Sequence, residues 1–197
     1  MKPIRLLTLS AAALTLAACG NNDAETPSAE VNTMVTDDRG LDAALGNEAT
    51  STATAAPTSA QGFVNAAAAS DRFEIESSRL AAASGNSTAV KSFADNMIKA
   101  HTASTKELTS LLAGLPTPVV PSDALNPDQQ RLMGSLQGKT GAELDQAYAA
   151  AQVTAHQATL DTLKAYAAAG DTPALKDFAN KMIPTVTAHL NTARGLK

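Results

Sequence analysis

The chain contains one ten-residue segment twice: Ala89-Val-Lys-Ser-Phe-Ala-Asp-Asn-Met-Ile98 recurs 85 residues later as Ala174-Leu-Lys-Asp-Phe-Ala-Asn-Lys-Met-Ile183. Six of the ten positions are identical, and the same offset places Gly85 on Gly170. A bias toward alanine does not explain matched Lys, Phe and Met-Ile positions in register with a glycine. The repeat therefore predicts two copies of a helical hairpin, which together make a four-helix bundle.

Both repeated segments lie in long, alanine-rich stretches that show no strand-like alternation. The pattern predicts four long helices and one short one, over residues 61–84, 88–113, 127–137, 141–169 and 172–194. The connector between the hairpins contains three prolines, which exclude a helix there: Pro116, Pro118 and Pro121. The predicted fold class is all-α, a bundle of two duplicated αα-hairpins whose long connector carries the short extra helix.

Local signals support these helix boundaries. Gly85 and Gly170 are expected to be C′ glycines, which usually adopt the left-handed conformation. Ser87 and Thr172 are expected to be N-cap residues. The segment Thr140-Gly-Ala-Glu143 has the pattern of a capping box.

Composition excludes several classes of protein. The 197 residues include one cysteine, which excludes an intrachain disulfide framework and a Cys-based zinc finger. With 15 Lys and Arg against 19 Asp and Glu, the chain has no excess of basic residues to bind phosphates, so nucleic acid is not an expected partner. The sequence contains neither a Gly-x-Ser-x-Gly elbow nor a glycine-rich phosphate loop, so no catalytic residue is assigned and an enzyme is not favoured.

The first nineteen residues have the pattern of a bacterial lipoprotein leader. Lys2 and Arg5 precede an apolar stretch that is too short to span a bilayer. This stretch ends in Leu16-Ala-Ala-Cys19, which resembles the lipobox that is cleaved before a lipid-bearing cysteine. Residues 1–18 are therefore expected to be a signal peptide, and Cys19 to be the site of lipid attachment.

The leader predicts where the protein is anchored and where its tether begins. Gly20 is not the Asp that retains lipoproteins on the inner membrane, so the resemblance implies an outer-membrane anchor that faces the periplasm. Residues 19–60 are polar and are expected to form a lipidated flexible tether with a span of about 35 Å. Residues 61–197 are expected to form the helical bundle domain. The membrane, through this lipid, is the only partner that the sequence identifies.

The three histidines of the chain lie on the apolar faces of three different predicted helices: His101, His156 and His189. Glu74 borders the apolar face of the remaining long helix. Counted from the hairpin turns, all four residues lie near the middle of their helices. They span about 6 Å along the bundle if the turns lie at opposite ends, and about 9 Å if the turns share an end.

A family resemblance covers the chain from about residue 63 to residue 194. Its motifs are Phe63-Val-x-x-Ala-Ala, Glu74-Ile-Glu, Val90-Lys-x-Phe-Ala-x-x-Met-Ile, His101-Thr, Asp145-x-x-Tyr148, His156 and His189-Leu. These resemble the bacterial envelope family catalogued as domain of unknown function 4142. The resemblance implies a ferritin-like bundle with a long crossover, and it implies no established activity. Pro184 is expected to kink the last helix.

Two interpretations of the central residues remain open. In the first, Glu74 and the three histidines bind one transition-metal ion, zinc, iron or copper. A di-iron centre is not favoured, because Ile98 and Val186 stand where Glu-x-x-His pairs would need glutamates. In the second, each histidine is a buried side chain that is hydrogen-bonded to one of four residues: Glu74, Asp71, Asp145 or Tyr148.

Two functions correspond to these interpretations. One is a lipid-anchored, non-catalytic envelope protein with a binding, structural or stress-related role. The other is a periplasmic protein that binds a metal ion or performs weak redox chemistry at the central layer. The sequence favours the first function, because the glutamates that a di-iron centre requires are missing.

Overall fold

A computed structural model describes residues 56–196, and these residues are all-helical. The helices are α1 (Ala60–Ser84), α2 (Thr88–Leu112), α3 (Pro127–Leu136), α4 (Gly141–Ala169) and α5 (Pro173–Gly195). Each boundary lies within one residue of its sequence-based prediction, and the predicted all-α class is confirmed. The leader, Cys19 and most of the predicted tether lie outside the described residues.

The two hairpin turns lie at opposite ends of the bundle. Asp145, near the start of α4, accepts hydrogen bonds from the backbone N–H groups of Asn86 and Ser87 in the α1–α2 turn. At the other end, Asp171 in the α4–α5 turn accepts one from the backbone N–H of Ala60 at the start of α1. α1 and α4 are therefore antiparallel neighbours, and the connector runs the length of the bundle. This is the arrangement that gives the tighter central layer.

These two end contacts use equivalent positions of the sequence repeat. Ala60 and Asp145 are 85 residues apart, and so are Asn86 and Asp171. The donor and acceptor roles are exchanged, because the carboxylate belongs to the helix start in one contact and to the turn in the other. The two hairpins therefore meet through the same pair of positions at both ends.

Two apolar clusters fill the two halves of the bundle. One surrounds Phe73, Phe93 and Leu144 near the α1–α2 turn, and the other surrounds Phe63, Tyr166 and Phe178 near the α4–α5 turn. Between them lies a layer of buried polar side chains at mid-height: Asp71, Glu74, His101, Gln152 and His156. The fold therefore positions this polar layer by packing apolar residues above and below it.

The glycines of the hairpin turns differ from their prediction. The backbone φ angles of Gly85 and Gly170 are −68° and −63°, so neither residue is left-handed. A Cβ atom at Gly85 would lie 2.6 Å from the carbonyl oxygen of Ala81, and one at Gly170 would lie 2.6 Å from the ring of Tyr166. Close packing, not backbone conformation, explains glycine at both positions.

The predicted capping box of α4 is also wrong. Thr140 is the N-cap of α4 but makes no side-chain cap, and Glu143 forms an ion pair with Lys139. A capping box is present instead at the start of α3, between Asn126 and Gln129. Asp145 connects the start of α4 to the α1–α2 turn but does not cap α4, because its hydrogen bonds come from Asn86 and Ser87.

The predicted N-cap residues of α2 and α5 differ in what their side chains do. Ser87 caps α2 as predicted. Thr172 is the N-cap residue of α5 as predicted, but its hydroxyl donates to Asp171 and makes no cap hydrogen bond. α5 continues through Pro184 to Gly195. In the part of the chain that the structure describes, no helix combines the length and apolar character that a bilayer span requires.

Candidate metal centre

Three histidines from three helices meet in the central polar layer. His101 belongs to α2, His156 to α4 and His189 to α5. Each offers one ring nitrogen, and the three nitrogens lie within 4.8 Å of one another. The ring centroids are 5.5 to 5.8 Å apart. His101 and His156 are buried and His189 is half-buried, so the group lies inside the bundle with one edge near the surface.

Hydrogen bonds orient two of these rings. Nδ1 of His101 donates to Oδ1 of Asp71 at 2.8 Å, since a carboxylate oxygen can only accept. Nδ1 of His156 donates to the backbone carbonyl of Gln152 at 3.0 Å. With the proton on Nδ1, the neutral ring keeps a lone pair on Nε2. When neutral, both rings are therefore held in the tautomer that can bind a metal ion through Nε2.

The other ring nitrogens of the group have no partner. Nε2 of His101, Nε2 of His156 and Nδ1 of His189 are buried and make no hydrogen bond within the described part of the chain. A buried polar atom without a partner costs about 1–3 kcal/mol. A single ion bound to all three would satisfy them together. Hydrogen bonding of the outer nitrogen, as in the Asp71–His101 pair, is the usual support for a metal-binding histidine.

Glu74 lies beside this group and outside it. Its carboxylate is buried, and neither oxygen has a hydrogen-bond partner among the described residues. Oε1 is 3.4 Å from Nδ1 of His156, on the ring edge that also faces Gln152. The structure thus brings one nitrogen of each predicted histidine within 4.8 Å of the other two, and it places Glu74 behind His156.

Burial and mutual charge set the protonation of the layer. Burial, together with the charge of His101, lowers the pKa of His156 to about 3 and that of His189 to about 4. Burial also raises the pKa of Glu74 to about 7. For His101, burial lowers the pKa, but its hydrogen bond to Asp71 and the nearby carboxylates outweigh this, so the pKa is raised. His156 and His189 are therefore neutral near pH 7, the form that binds metal ions, whereas His101 holds a proton more readily and releases it when an ion binds through Nε2.

Two of the predicted hydrogen-bond partners serve other residues. Asp145 binds the backbone of the α1–α2 turn, and the hydroxyl of Tyr148 is paired with Ser78 at 2.7 Å. The prediction that either residue holds a histidine is therefore wrong, because both lie nearer the α1–α2 end of the bundle. The purely polar network is left with one carboxylate partner for His101 and one backbone partner for His156.

The role of Asp71 is larger than the sequence indicated. Its two oxygens accept from His101 and from the hydroxyl of Thr105, at 2.8 and 3.0 Å. A signal for it exists in the repeat, since Asp71 and His156 are 85 residues apart. The two hairpins thus place a polar group at the same position of the central layer.

Comparison with known proteins identifies the family. A family model described as "Domain of unknown function (DUF4142)" matches residues 33–196. The chain belongs to this family. The DUF4142 match begins inside the predicted tether and includes residues 33–60 of it. No curated protein matches the sequence, and no solved structure does.

The donor set of this DUF4142 chain suits one ion. Neutral imidazoles are ligands for zinc, copper, iron and nickel. Ile98 and Val186 precede His101 and His189 by three residues, so the carboxylates of a di-iron centre are missing from those positions. Three protein ligands also leave at least one coordination position for another molecule.

Proposed function

We propose that this DUF4142 chain binds one divalent transition-metal ion through His101, His156 and His189. Two observations carry the proposal: each of the three histidines offers one ring nitrogen within 4.8 Å of the other two, and each ring also has a buried nitrogen without a hydrogen-bond partner among the described residues. In a histidine that serves only to hold a core together, both buried ring nitrogens are expected to be hydrogen-bonded, because an unpaired buried polar atom destabilises the fold.

The spacing of the nitrogens supports this proposal. If all three were 4.8 Å apart, a point equidistant from them would lie about 2.8 Å from each. Zinc–imidazole bonds are about 2.0–2.1 Å, so each ring would have to move inward by less than about 1 Å. Such a shift is within the range of small side-chain rotations.

The electrostatics of the layer support it as well. Asp71 and Glu74 place two carboxyl groups next to the histidines and can offset the charge of a divalent ion. The ion, when bound, would supply Lewis-acid chemistry at its open position. The three histidines would hold the ion inside the bundle. Asp71 and the backbone carbonyl of Gln152 would orient the rings of His101 and His156.

Metal analysis tests this proposal directly. We expect the full chain carrying Cys19→Ala, which removes the only thiol, to retain one Zn²⁺ or Co²⁺ per molecule after dialysis. His189→Ala is expected to weaken binding at least a hundredfold, because it removes one of three ligands at the least buried position. The control is Asn191→Ala, an exposed change on the same helix. Elemental analysis measures the metal content, and calorimetric titration measures the affinity.

The results separate the two functions. Equal metal content in wild type and His189→Ala would contradict the proposal. No bound metal in the wild type, with a lowered melting temperature in the histidine variant, would favour the non-catalytic, structural function. The observation that favours this second candidate is the pairing of His101 with Asp71 and of His156 with Gln152.

Asp71 is expected to support metal binding through His101. Asp71→Asn keeps the shape of the side chain but removes the negative charge that raises the basicity of the His101 ring. We expect the affinity for Zn²⁺ to fall about 10- to 100-fold, as is typical when the hydrogen-bond partner of a metal ligand is changed. Competition with a chromophoric chelator measures this. Asp161→Asn, at an exposed position of α4, is the control and is expected to leave affinity unchanged.

We further propose that the protein is anchored to the bacterial envelope through lipid on Cys19 and faces the periplasm. The support is the leader, in which Lys2 and Arg5 precede an apolar stretch ending in Leu16-Ala-Ala-Cys19. The mature chain would carry 13 basic and 19 acidic residues, so electrostatic attraction to anionic lipids would not hold it at the membrane. The lipid would be the anchor.

A further inference from the structure

A small cavity borders the three-histidine group. It is lined by residues of α1, α2, α4 and α5, and His101 and His189 form part of its wall. Much of the remaining wall is apolar: Ala67, Leu163, Phe178, Met182 and Val186. The volume is about 40 Å³. One water needs about 10–15 Å³, so the cavity has room for a molecule of two or three heavy atoms and is too small to enclose a five-membered ring.

The buried polar side chains of this wall are already paired, apart from the histidines. The two oxygens of Asp71 accept from His101 and Thr105. The hydroxyl of Thr159 donates to a backbone carbonyl of its own helix, so the hydroxyl of Ser70 donates to Thr159. The unpartnered atoms are the ring nitrogens themselves. A molecule in the cavity would therefore be held by contact with the apolar wall and by the metal.

We propose that this cavity binds a small ligand of two or three heavy atoms, uncharged or singly negative, at the open position of the metal. The inference rests on the proposed metal site at His101, His156 and His189. Two of these three ligands face the cavity, and three protein ligands leave a fourth position. The apolar wall disfavours ligands of higher charge, because their desolvation costs more.

Glu74 is the competing occupant of that fourth position. Its Oε1 lies 3.4 Å from Nδ1 of His156, whereas the unpartnered nitrogen of that ring is Nε2. The carboxylate therefore faces the outer edge of the ring. Glu74 is also not among the residues that line the cavity. The geometry favours a ligand from solution over Glu74.

Spectroscopy of the cobalt-loaded protein tests this inference. The full chain carrying Cys19→Ala is loaded with Co²⁺, and azide or imidazole is titrated while the visible absorption is recorded. Azide is a linear three-atom anion, and imidazole is a five-membered ring. We expect azide to change the cobalt bands saturably and imidazole to leave them unchanged, because only azide fits the cavity.

Two variants of the wall locate the ligand. Ala67→Leu fills the cavity, and we expect azide affinity to fall at least tenfold. Met182→Ala enlarges the cavity, and we expect imidazole to gain saturable binding. The control is Ala150→Leu, a matched alanine-to-leucine change at an exposed position of α4, which is expected to leave azide affinity as in wild type. Cobalt content is measured in every variant, so that a loss of metal is distinguished from a loss of ligand.

Each outcome decides between the proposals. One bound Co²⁺ with no response to azide would overturn the small-ligand site, favour Glu74 as the fourth ligand and leave the metal site intact. Failure to bind Co²⁺ would overturn both proposals. Azide binding of unchanged affinity in Ala67→Leu, or an absent imidazole response in Met182→Ala, would overturn the assignment to this cavity.

Discussion

Without metal, Glu74→Gln is expected to gain stability relative to wild type as the pH rises from 5 to 8, by roughly 2–3 kcal/mol. Burial raises the pKa of Glu74 to about 7, against an ordinary value of 4.5. The folded protein therefore keeps this proton to a higher pH than the unfolded chain. The stability that Glu74 contributes is fully present below pH 4.5 and is lost as the pH rises through 7. Glutamine carries no such proton, so the variant avoids this loss.

Urea unfolding at pH 5, 6, 7 and 8 in the presence of a chelator measures this effect. Glu143→Gln is the matched control, because it makes the same chemical change at an exposed position of α4. Its stability difference from wild type is expected to be nearly independent of pH. A difference between Glu74→Gln and wild type that stays constant from pH 5 to pH 8 would show that Glu74 is ionised in the folded protein.

Cys19→Ala is expected to move the protein from the membrane fraction to the soluble fraction of a bacterial cell. The thiol is the expected acyl acceptor, and two or more acyl chains are needed for stable anchoring. Fractionation, together with labelling by a radioactive or alkyne-bearing fatty acid, measures both the location and the modification. Persistence of the variant in the membrane fraction would contradict the lipid anchor.

Gly20→Asp serves as the matched variant. It leaves Cys19 in place, so the lipid label and the membrane fraction are expected to be retained. The aspartate is expected to shift the protein from the outer to the inner membrane, which separation on a density gradient resolves. Equal distribution of wild type and Gly20→Asp would contradict the sorting role assigned to this position.

The helices could be predicted closely from the sequence because their limits are marked by residues that act locally. Proline at the start of α3 and α5 and glycine after α1 and α4 identify the ends without any tertiary information. The reason for the glycines could not be predicted. At Gly170 it is the ring of Tyr166, which packs against the turn and leaves no room for a Cβ.

The central layer was predictable in part. The apolar faces identify which helix side each histidine occupies, and the helix rise gives its depth. The spacing does not determine the rotation of a side chain about its own bonds. For that reason the sequence could not place Glu74 behind His156, or show that Asp71 rather than Asp145 supports a histidine.

The choice between the two functions changes with the structure. From the sequence, missing carboxylates argued against a metal. In the fold, Asp71 and Glu74 are both adjacent to the histidines, so two carboxyl groups can compensate the charge of a single ion, Glu74 once it has lost its proton. The unpaired nitrogens are an observation on which the proposed metal site rests. The proposed metal site and the non-catalytic function remain distinguishable by metal content alone.

The equivalent contacts at the two ends of the bundle bear on its origin. Each apolar cluster draws residues from both halves of the chain, so a single ancestral hairpin would have needed a second copy to cover its apolar face. Two copies of one hairpin would cover each other's apolar faces in this way. At the offset of 85, the positions matching His101, His156 and His189 are Val186, Asp71 and Ser104. Two identical hairpins would supply an even number of histidines, so the three-histidine group depends on the differences between the two halves of the chain.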